Sequence, residues 1–172
     1  VKDGRAHAMV SAGNTGAAVT FSLLTWRRLP GIDRPAIAAR MPNRHDGFLL
    51  VDAGASPDAD PEHLVQFARM GRAYANRVMG RAEPKVHLLN IGEEPGKGNA
   101  HAKAAFELLA PHPWFAGNIE GKDLWRNPVD VVVCDAFVGN VVLKTSEGLA
   151  EMIAGTIREG VPANPIGRAM YW

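Results

Sequence analysis

The run Val129-Asp-Val-Val-Val-Cys-Asp-Ala136 is the most hydrophobic strand-like stretch of the chain. It does not alternate: Val131, Val132, Val133 and Cys134 are consecutive apolar residues. Neither face of such a strand would meet water, and that pattern belongs to a parallel sheet with helices over both faces. Lys85 to Gly92, "KVHLLNIG", is a second near-continuous apolar strand, and Pro35–Arg40 and Phe48–Asp52 are shorter runs of strand length. The link between those two, "MPNRHDG", carries hairpin-type turn residues and breaks the strand–helix alternation.

Helical patterns fill the intervals. Asp60 is placed to cap a helix with Pro61 at its first position, where a missing N–H costs nothing. Leu64, Phe67, Ala68, Gly71, Tyr74, Ala75 and Val78 fall on one face of it, and Gly80 closes it. "NAHAKAAFELLA", residues 99–110, predicts another helix, and Leu149, Met152, Ile153 and Ile157 give the last one an apolar stripe. At the start, Ala6 to Ser11 predicts a strand and Thr15 to Leu24 a helix.

Composition bounds the function. With 172 residues, 47% hydrophobic, 18 glycines and 12 prolines, the chain suits one α/β domain over residues 1–172, or part of a larger one. A net charge of +1 with scattered basic residues gives no reason to expect a nucleic-acid partner. A single cysteine excludes an intrachain disulfide and suits a reducing cytosol. No apolar run approaches the roughly 18 residues of a bilayer span, and no signal peptide is expected. The first residue is Val1 and the last are Met170-Tyr171-Trp172, so both ends are expected to be cut.

Ligands of open α/β sheets bind beyond the strands' carboxyl ends. Those ends read "SAGNTG", "VDAGAS", "NIGEEPGKGN" and "CDAFVGN". Gly13 and Gly16 flank Asn14 and Thr15, which suits backbone N–H groups approaching an anion at a helix start; a strand–helix turn capped by Asn14 explains the same residues. "GEEPGKGN" is one spacer short of a Walker A loop and has Gly98 where the hydroxyl should stand. It leaves Lys97, either a point-charge contact for an anion or a solvated lysine. No G-x-G-x-x-G occurs, and the six histidines lack metal spacing. His7 and His87 are expected to be packed, hydrogen-bonded histidines within strands, and Cys134 a buried thiol. Asp52 and Asp135, at strand ends, suit either orienting a ligand or capping a loop.

No nucleophile presents itself, which fits a reaction whose second substrate is itself nucleophilic, such as phosphate attacking a thioester. Such a site needs donors for a dianion and for a developing oxyanion. Asn14, Asn90, Asn99, Asn118, Asn140, Lys97 and Lys144 supply them at predicted loop positions.

"SAGNTGA", "RPAIAARMPN", "HLVQFARMGRAYA", "LLNIGEEPGKGN", "GNIEGKDL" and "VDVVVCDAFVGNVVLKTSEGLA" together, in this order, resemble the phosphate acyltransferases of the PlsX family from Met9 to about Ile157. The resemblance implies a three-layer α/β/α sandwich like that of isopropylmalate dehydrogenase, with a mostly parallel sheet. It implies transfer of a fatty acyl group from acyl-carrier protein to inorganic phosphate; the missing P-loop and metal spacing add the expectation that no cofactor or metal takes part. A glycerol-3-phosphate acyltransferase would then use the acyl phosphate in phospholipid synthesis. It further implies a homodimer, cytoplasmic and peripherally associated with the inner membrane surface. On this reading Ser11, Gly13, Asn14, Thr15 and Gly16 bind phosphate, Lys97 neutralises charge, and Asn140 and Lys144 lie near the acyl phosphate. Asn90, Asn99, Asn118 and Asp135 complete the substrate contacts. The last helix would help form the dimer, and "PIGRAMYW", with Ile166 and Met170, would touch lipid.

The chain departs from the family pattern at Ala136, at Ser56-Pro57 and at Pro95-Gly96, and lacks the N-terminal glycine motif and the final strands, as a central fragment would. Rival readings are a phosphate acetyl- or butyryltransferase using acyl-CoA, and a non-catalytic fragment that binds acyl-carrier protein or membrane. A dehydrogenase would need nicotinamide and metal sites that these residues do not assemble.

Overall fold

The computed structural model describes residues 1–160. Its elements are α1 (Thr15–Trp26), β1 (Ala38–Met41), β2 (Phe48–Val51), α2 (Pro61–Arg77), β3 (Val86–Asn90), α3 (Ala100–Leu109), β4 (Phe115–Glu120), β5 (Val131–Val133) and α4 (Ala136–Gly160). The chain divides into two compact units, Val1–Asn140 and Val141–Trp172, so that α4 begins in the first and continues as the second.

Unit one is built on a five-stranded sheet of order β1-β2-β5-β3-β4. The pairs β2–β5, β5–β3 and β3–β4 are parallel, and only β1, hairpinned to β2, is antiparallel. Asn43 shapes the hairpin turn by accepting from the His45 and Gly47 amides at 2.8 and 2.9 Å. The apolar runs became the buried strands that their lack of alternation requires. Leu49, Val131 and Val86 form one lateral row, and Val51, Val133 and Leu88 a second. Both rows pack with Leu64, Phe67 and Ala68 of α2 and Ala105 and Leu109 of α3 in one core cluster. Gly71 lets α2 settle on the sheet, because a Cβ there would lie 2.8 Å from Val131 and 3.2 Å from Val51. Tyr74 and Val78 stay exposed: the stripe touching the sheet runs through Leu64, Phe67, Ala68, Gly71 and Ala75, and Val78 lies past the last turn as the cap.

The alternate row, Leu50, Val132 and His87, faces the other way. On that face His87 is packed as expected, yet its Nδ1 is buried without a partner among the described residues. Burial lowers its pKa from 6.5, opposed in part by Asp130.

Several expectations fail. Ala6–Ser11 is not a strand: it pairs with no edge of the sheet and is exposed throughout, His7 included, and a strand without a ladder partner has nothing to hold it. β4 has no counterpart in the sequence reading, because Gly117 (φ +94°) interrupts its pattern where the β3–β4 register slips by one residue. Asn118, expected in a loop, is therefore a buried strand residue, and Asn140 and Lys144, also expected in loops, lie within α4, which starts directly after the β5 loop. No helix among the described residues is long and apolar enough to cross a membrane, and "PIGRAMYW" lies outside those residues.

Candidate active site

Because β2, β5, β3 and β4 run in parallel, their carboxyl ends share one edge of the sheet, and the loops that leave them carry most of the predicted polar residues. The tightest assembly joins the loops after β2 and β5. Asp52, fully buried, accepts from the amides of Ile37, Gly54 and Ala55 on Oδ1, each at 2.9 Å, and from Ser56 N on Oδ2 at 2.8 Å. Four N–H groups around one carboxylate offset its desolvation and fix the loop's shape. Of its two readings, loop organiser is the one observed. Ser56 adds a bond from its hydroxyl to the Pro35 carbonyl at 2.8 Å.

The first turn of α4 presses against this loop. A Cβ on Gly139 would come within 1.9 Å of the Asp52 carbonyl oxygen, so only glycine permits the approach. Asp135 caps α4, its Oδ1 accepting from Val138 N at 2.9 Å. Asn140 donates through Nδ2 to the Ala53 carbonyl at 3.3 Å, beside Gly54 (φ +141°), where a Cβ would sit 2.8 Å from that nitrogen. Cys134 is buried between these elements and directs its thiol at the Asp52 carbonyl, 3.8 Å away. Burial first, then the carboxylates of Asp135 and Asp52, push the thiol well above its ordinary pKa, so it is neither a thiolate nor a nucleophile near neutral pH.

A second assembly surrounds the loop after β3. Asn90 donates through Nδ2 to the Lys97 carbonyl at 3.1 Å and accepts on Oδ1 from Ile91 N at 2.8 Å. Gly98 (φ +92°) is needed beneath it, since a Cβ there would lie 2.5 Å from Asn90 Oδ1. Asn118 reaches across from β4 to donate to the Glu94 carbonyl at 2.9 Å, leaving its Oδ1 buried and without a partner among the described residues. Asn99 caps α3 through Ala102 N at 2.8 Å. Lys97 is exposed and makes no ion pair among the described residues.

The third assembly is the opening of α1. Asn14 Oδ1 accepts from Ala17 N at 3.1 Å, and Ser11 Oγ from Gly13 N at 3.3 Å. Ser11, Gly13 and Thr15 line a largely apolar cavity of about 510 Å³ that extends along α1 to Trp26 and Arg27. Arg27, which the sequence did not single out, holds φ +64°, rare for a residue with a side chain. Among the described residues no hydrogen bond joins this assembly to the other two. Lys144 belongs to the second unit, where it is paired with Glu147 at 2.7 Å.

Asparagine side chains and the N-termini of α3 and α4 gather at the carboxyl edge of a mostly parallel sheet, the edge beyond which open α/β proteins hold their ligands. The same fold occurs in EutD phosphotransacetylase from Staphylococcus aureus, with a TM-score of 0.60 over 81% of this chain and 49% of that one, at 17% identity. A phosphotransacetylase from Streptococcus pyogenes gives 0.59 over 81% and 49%, at 16% identity. The family model described as "Fatty acid synthesis protein" matches residues 1–167, and the chain belongs to this family, that of the PlsX-type phosphate acyltransferases. Phosphate acyltransferases of Desulfitobacterium hafniense strains Y51 and DSM 10664 / DCB-2 are each 52% identical to it over 168 residues, 96% of this chain and 50% of each relative. The chain thus spans about half the length of these curated relatives.

Proposed function

We propose that the carboxyl edge of this sheet serves the transfer of a fatty acyl group from the thioester of acyl-carrier protein to inorganic phosphate. A phosphate oxygen attacks the thioester carbonyl and the C–S bond breaks. The carrier thiol leaves with a proton, and acyl phosphate remains for a glycerol-3-phosphate acyltransferase. One observation carries the reading: in a chain 52% identical to phosphate acyltransferases, the lone thiol is buried where ionisation is opposed, while side-chain amides and Lys97, unpaired among the described residues, lie at the carboxyl edge. That inventory suits binding and charge stabilisation, and direct attack by phosphate asks for no more.

In this scheme the α1 N-terminus with Ser11, Gly13, Asn14, Thr15 and Gly16 receives phosphate, and Lys97 offsets its charge. Asn90, Asn99 and Asn118 shape the loop that carries Lys97, and Asp135 holds the α4 turn that presents Asn140. Lys144 contributes once released from Glu147. The finer expectations stand as part of the same proposal: a three-layer, isopropylmalate-dehydrogenase-like sandwich, a single domain incomplete at both ends, a homodimer, and a cytoplasmic enzyme resting on the inner membrane.

The test is phosphate-dependent release of thiol by the protein at its natural length, with acyl-carrier-protein and acyl-CoA donors compared. Release from the carrier without nucleotide or metal is expected; release from short acyl-CoA alone would favour an acetyl- or butyryltransferase. Lys97→Ala should lower turnover roughly 10²-fold. Asn14→Ala should lower turnover similarly and also cost about 1 kcal/mol of stability through the lost cap. Asn14→Asp, which keeps a cap but adds negative charge, should hold stability and lose phosphate affinity. Wild-type rates in all three variants would remove these residues from the site.

A further inference from the structure

We infer that a second anion site lies at the opposite, amino edge of the sheet: a groove of about 300 Å³ formed by Arg69, Arg72 and Arg77 of α2 with Asn76, Pro84 and Trp114. Its ligand class is a tetrahedral phosphate, free or as a monoester. Pro84 lies two residues before β3, Trp114 immediately precedes β4, and Arg77 ends α2, so the groove is separated from the loops after β3 and β5 by the length of the strands.

Three guanidinium groups line one depression, and no carboxylate lines it with them. Their neighbour Arg81 shows the alternative, being paired with Asp46 at 3.1 Å and Asp130 at 3.5 Å. Arg69, Arg72 and Arg77 have no acidic partner among the described residues. Like charges gathered in a concavity repel one another, and a bound dianion relieves that repulsion.

The groove's framework is fixed. Arg72 Nε donates to the Pro84 carbonyl at 3.3 Å, which anchors that guanidinium at its inner edge. Asn76 Nδ2 donates to the Arg81 and Ala82 carbonyls at 2.8 and 3.0 Å. Trp114 stacks on His112 with centroids 4.5 Å apart and forms an aromatic wall. A planar fork with paired N–H donors matches phosphate oxygens bidentately, which is why the ligand class is phosphate and not a lone halide. A volume near 300 Å³ is at the lower end for small-molecule sites and suits a phosphate group with a small substituent.

The experiment follows the Trp114 indole N–H resonance of the natural-length protein, assigned through Trp114→Phe, during titration with inorganic phosphate, with glycerol phosphate, and with vesicles containing phosphatidic acid. A saturable shift is expected. Response to the soluble probes identifies a free ligand, and response to vesicles alone identifies a lipid headgroup of the same chemistry. Arg69→Ala/Arg77→Ala should weaken binding roughly tenfold or more. Arg69→Lys/Arg77→Lys, which keeps the charge without the fork, should fall between that variant and wild type. Lys97→Ala should leave the Trp114 shift unchanged, since it touches only the other edge. No saturable shift with any probe, or equal affinity in the folded double-alanine variant, overturns the proposal. A shift produced by polyglutamate and by no phosphate probe also overturns it, in favour of an acidic protein partner.

Discussion

At Cys134 the surroundings decide what a reactive residue type can do. The thiol sits among apolar strand residues, with the Asp52 and Asp135 carboxylates as its electrostatic neighbours, and each of these influences opposes ionisation. Cys134→Ser should therefore keep phosphate-dependent turnover while losing stability, because a hydroxyl is harder to bury than a thiol. A covalent acyl adduct on Cys134, detected by mass spectrometry, would falsify direct transfer. The raised pKa also has a pH signature. In the unfolded chain the thiol ionises near its ordinary value of 9.0, whereas the folded protein holds the proton to higher pH. Above about pH 9 the unfolded state binds fewer protons, so stability falls as pH rises, and Cys134→Ala should flatten that part of the denaturation profile. His87 acts at the other end: its lowered pKa means that stability is lost as pH falls below about 6.5, where the unfolded imidazole protonates first.

Between elements, the contact that most shapes the site is that of α4's first turn with the loop after β2. It depends on Gly139, whose missing side chain admits the Asp52 carbonyl, and on the four amides that hold the Asp52 carboxylate. Gly139→Ala cannot be relieved by a rotamer change, since the clash is with backbone. It is expected to cost about 3 kcal/mol or more, read as a drop in denaturation midpoint, and to displace Asn140. Gly71→Ala meets the ends of two valine side chains instead, at 2.8 and 3.2 Å, and should cost about 1–3 kcal/mol without altering the carboxyl edge. If both variants lose activity in proportion to stability alone, the α4 turn has no positioning role.

At the scale of the whole molecule, large apolar side chains of the described helices are exposed. On α1, Phe21 and Leu24 are 66% and 77% exposed; on α4, Leu149, Met152, Ile153 and Ile157 range from 47% to 62%. A helix stripe of this kind ordinarily faces a partner. The 172-residue chain should accordingly self-associate in sedimentation experiments, and Met152→Glu/Ile157→Glu should reduce that association while leaving the sheet's thermal transition in place. For the natural-length protein the expectation is a dimer that partly co-sediments with liposomes, and release by Ile166→Glu/Met170→Glu. A monomeric 172-residue chain with full acyltransferase activity would sink both the dimer and the fragment proposals.

Local chemistry wrote much of this into the sequence. Unalternating valines around Val132 demanded burial on both faces, Asp60-Pro61 set the start of α2, and "MPNRHDG" foretold the antiparallel hairpin, because each signal acts over a few residues. The ordered motifs likewise carried the family. Other features depend on which segments meet. Ala6–Ser11 has strand composition but no strand to pair with, and Gly117 disguised β4 until its register against β3 was formed. Asn118 became a buried bridge to Glu94 only because β3 and β4 are neighbours. Asp52 could have faced a ligand or its own loop, and the choice fell to the amides of Ile37, Gly54, Ala55 and Ser56, which converge on it only once β1, β2 and their loops are folded. A sequence states which groups a residue can offer, whereas tertiary structure decides which are already occupied and which, like Lys97 and the three arginines at the far edge, are left for something else.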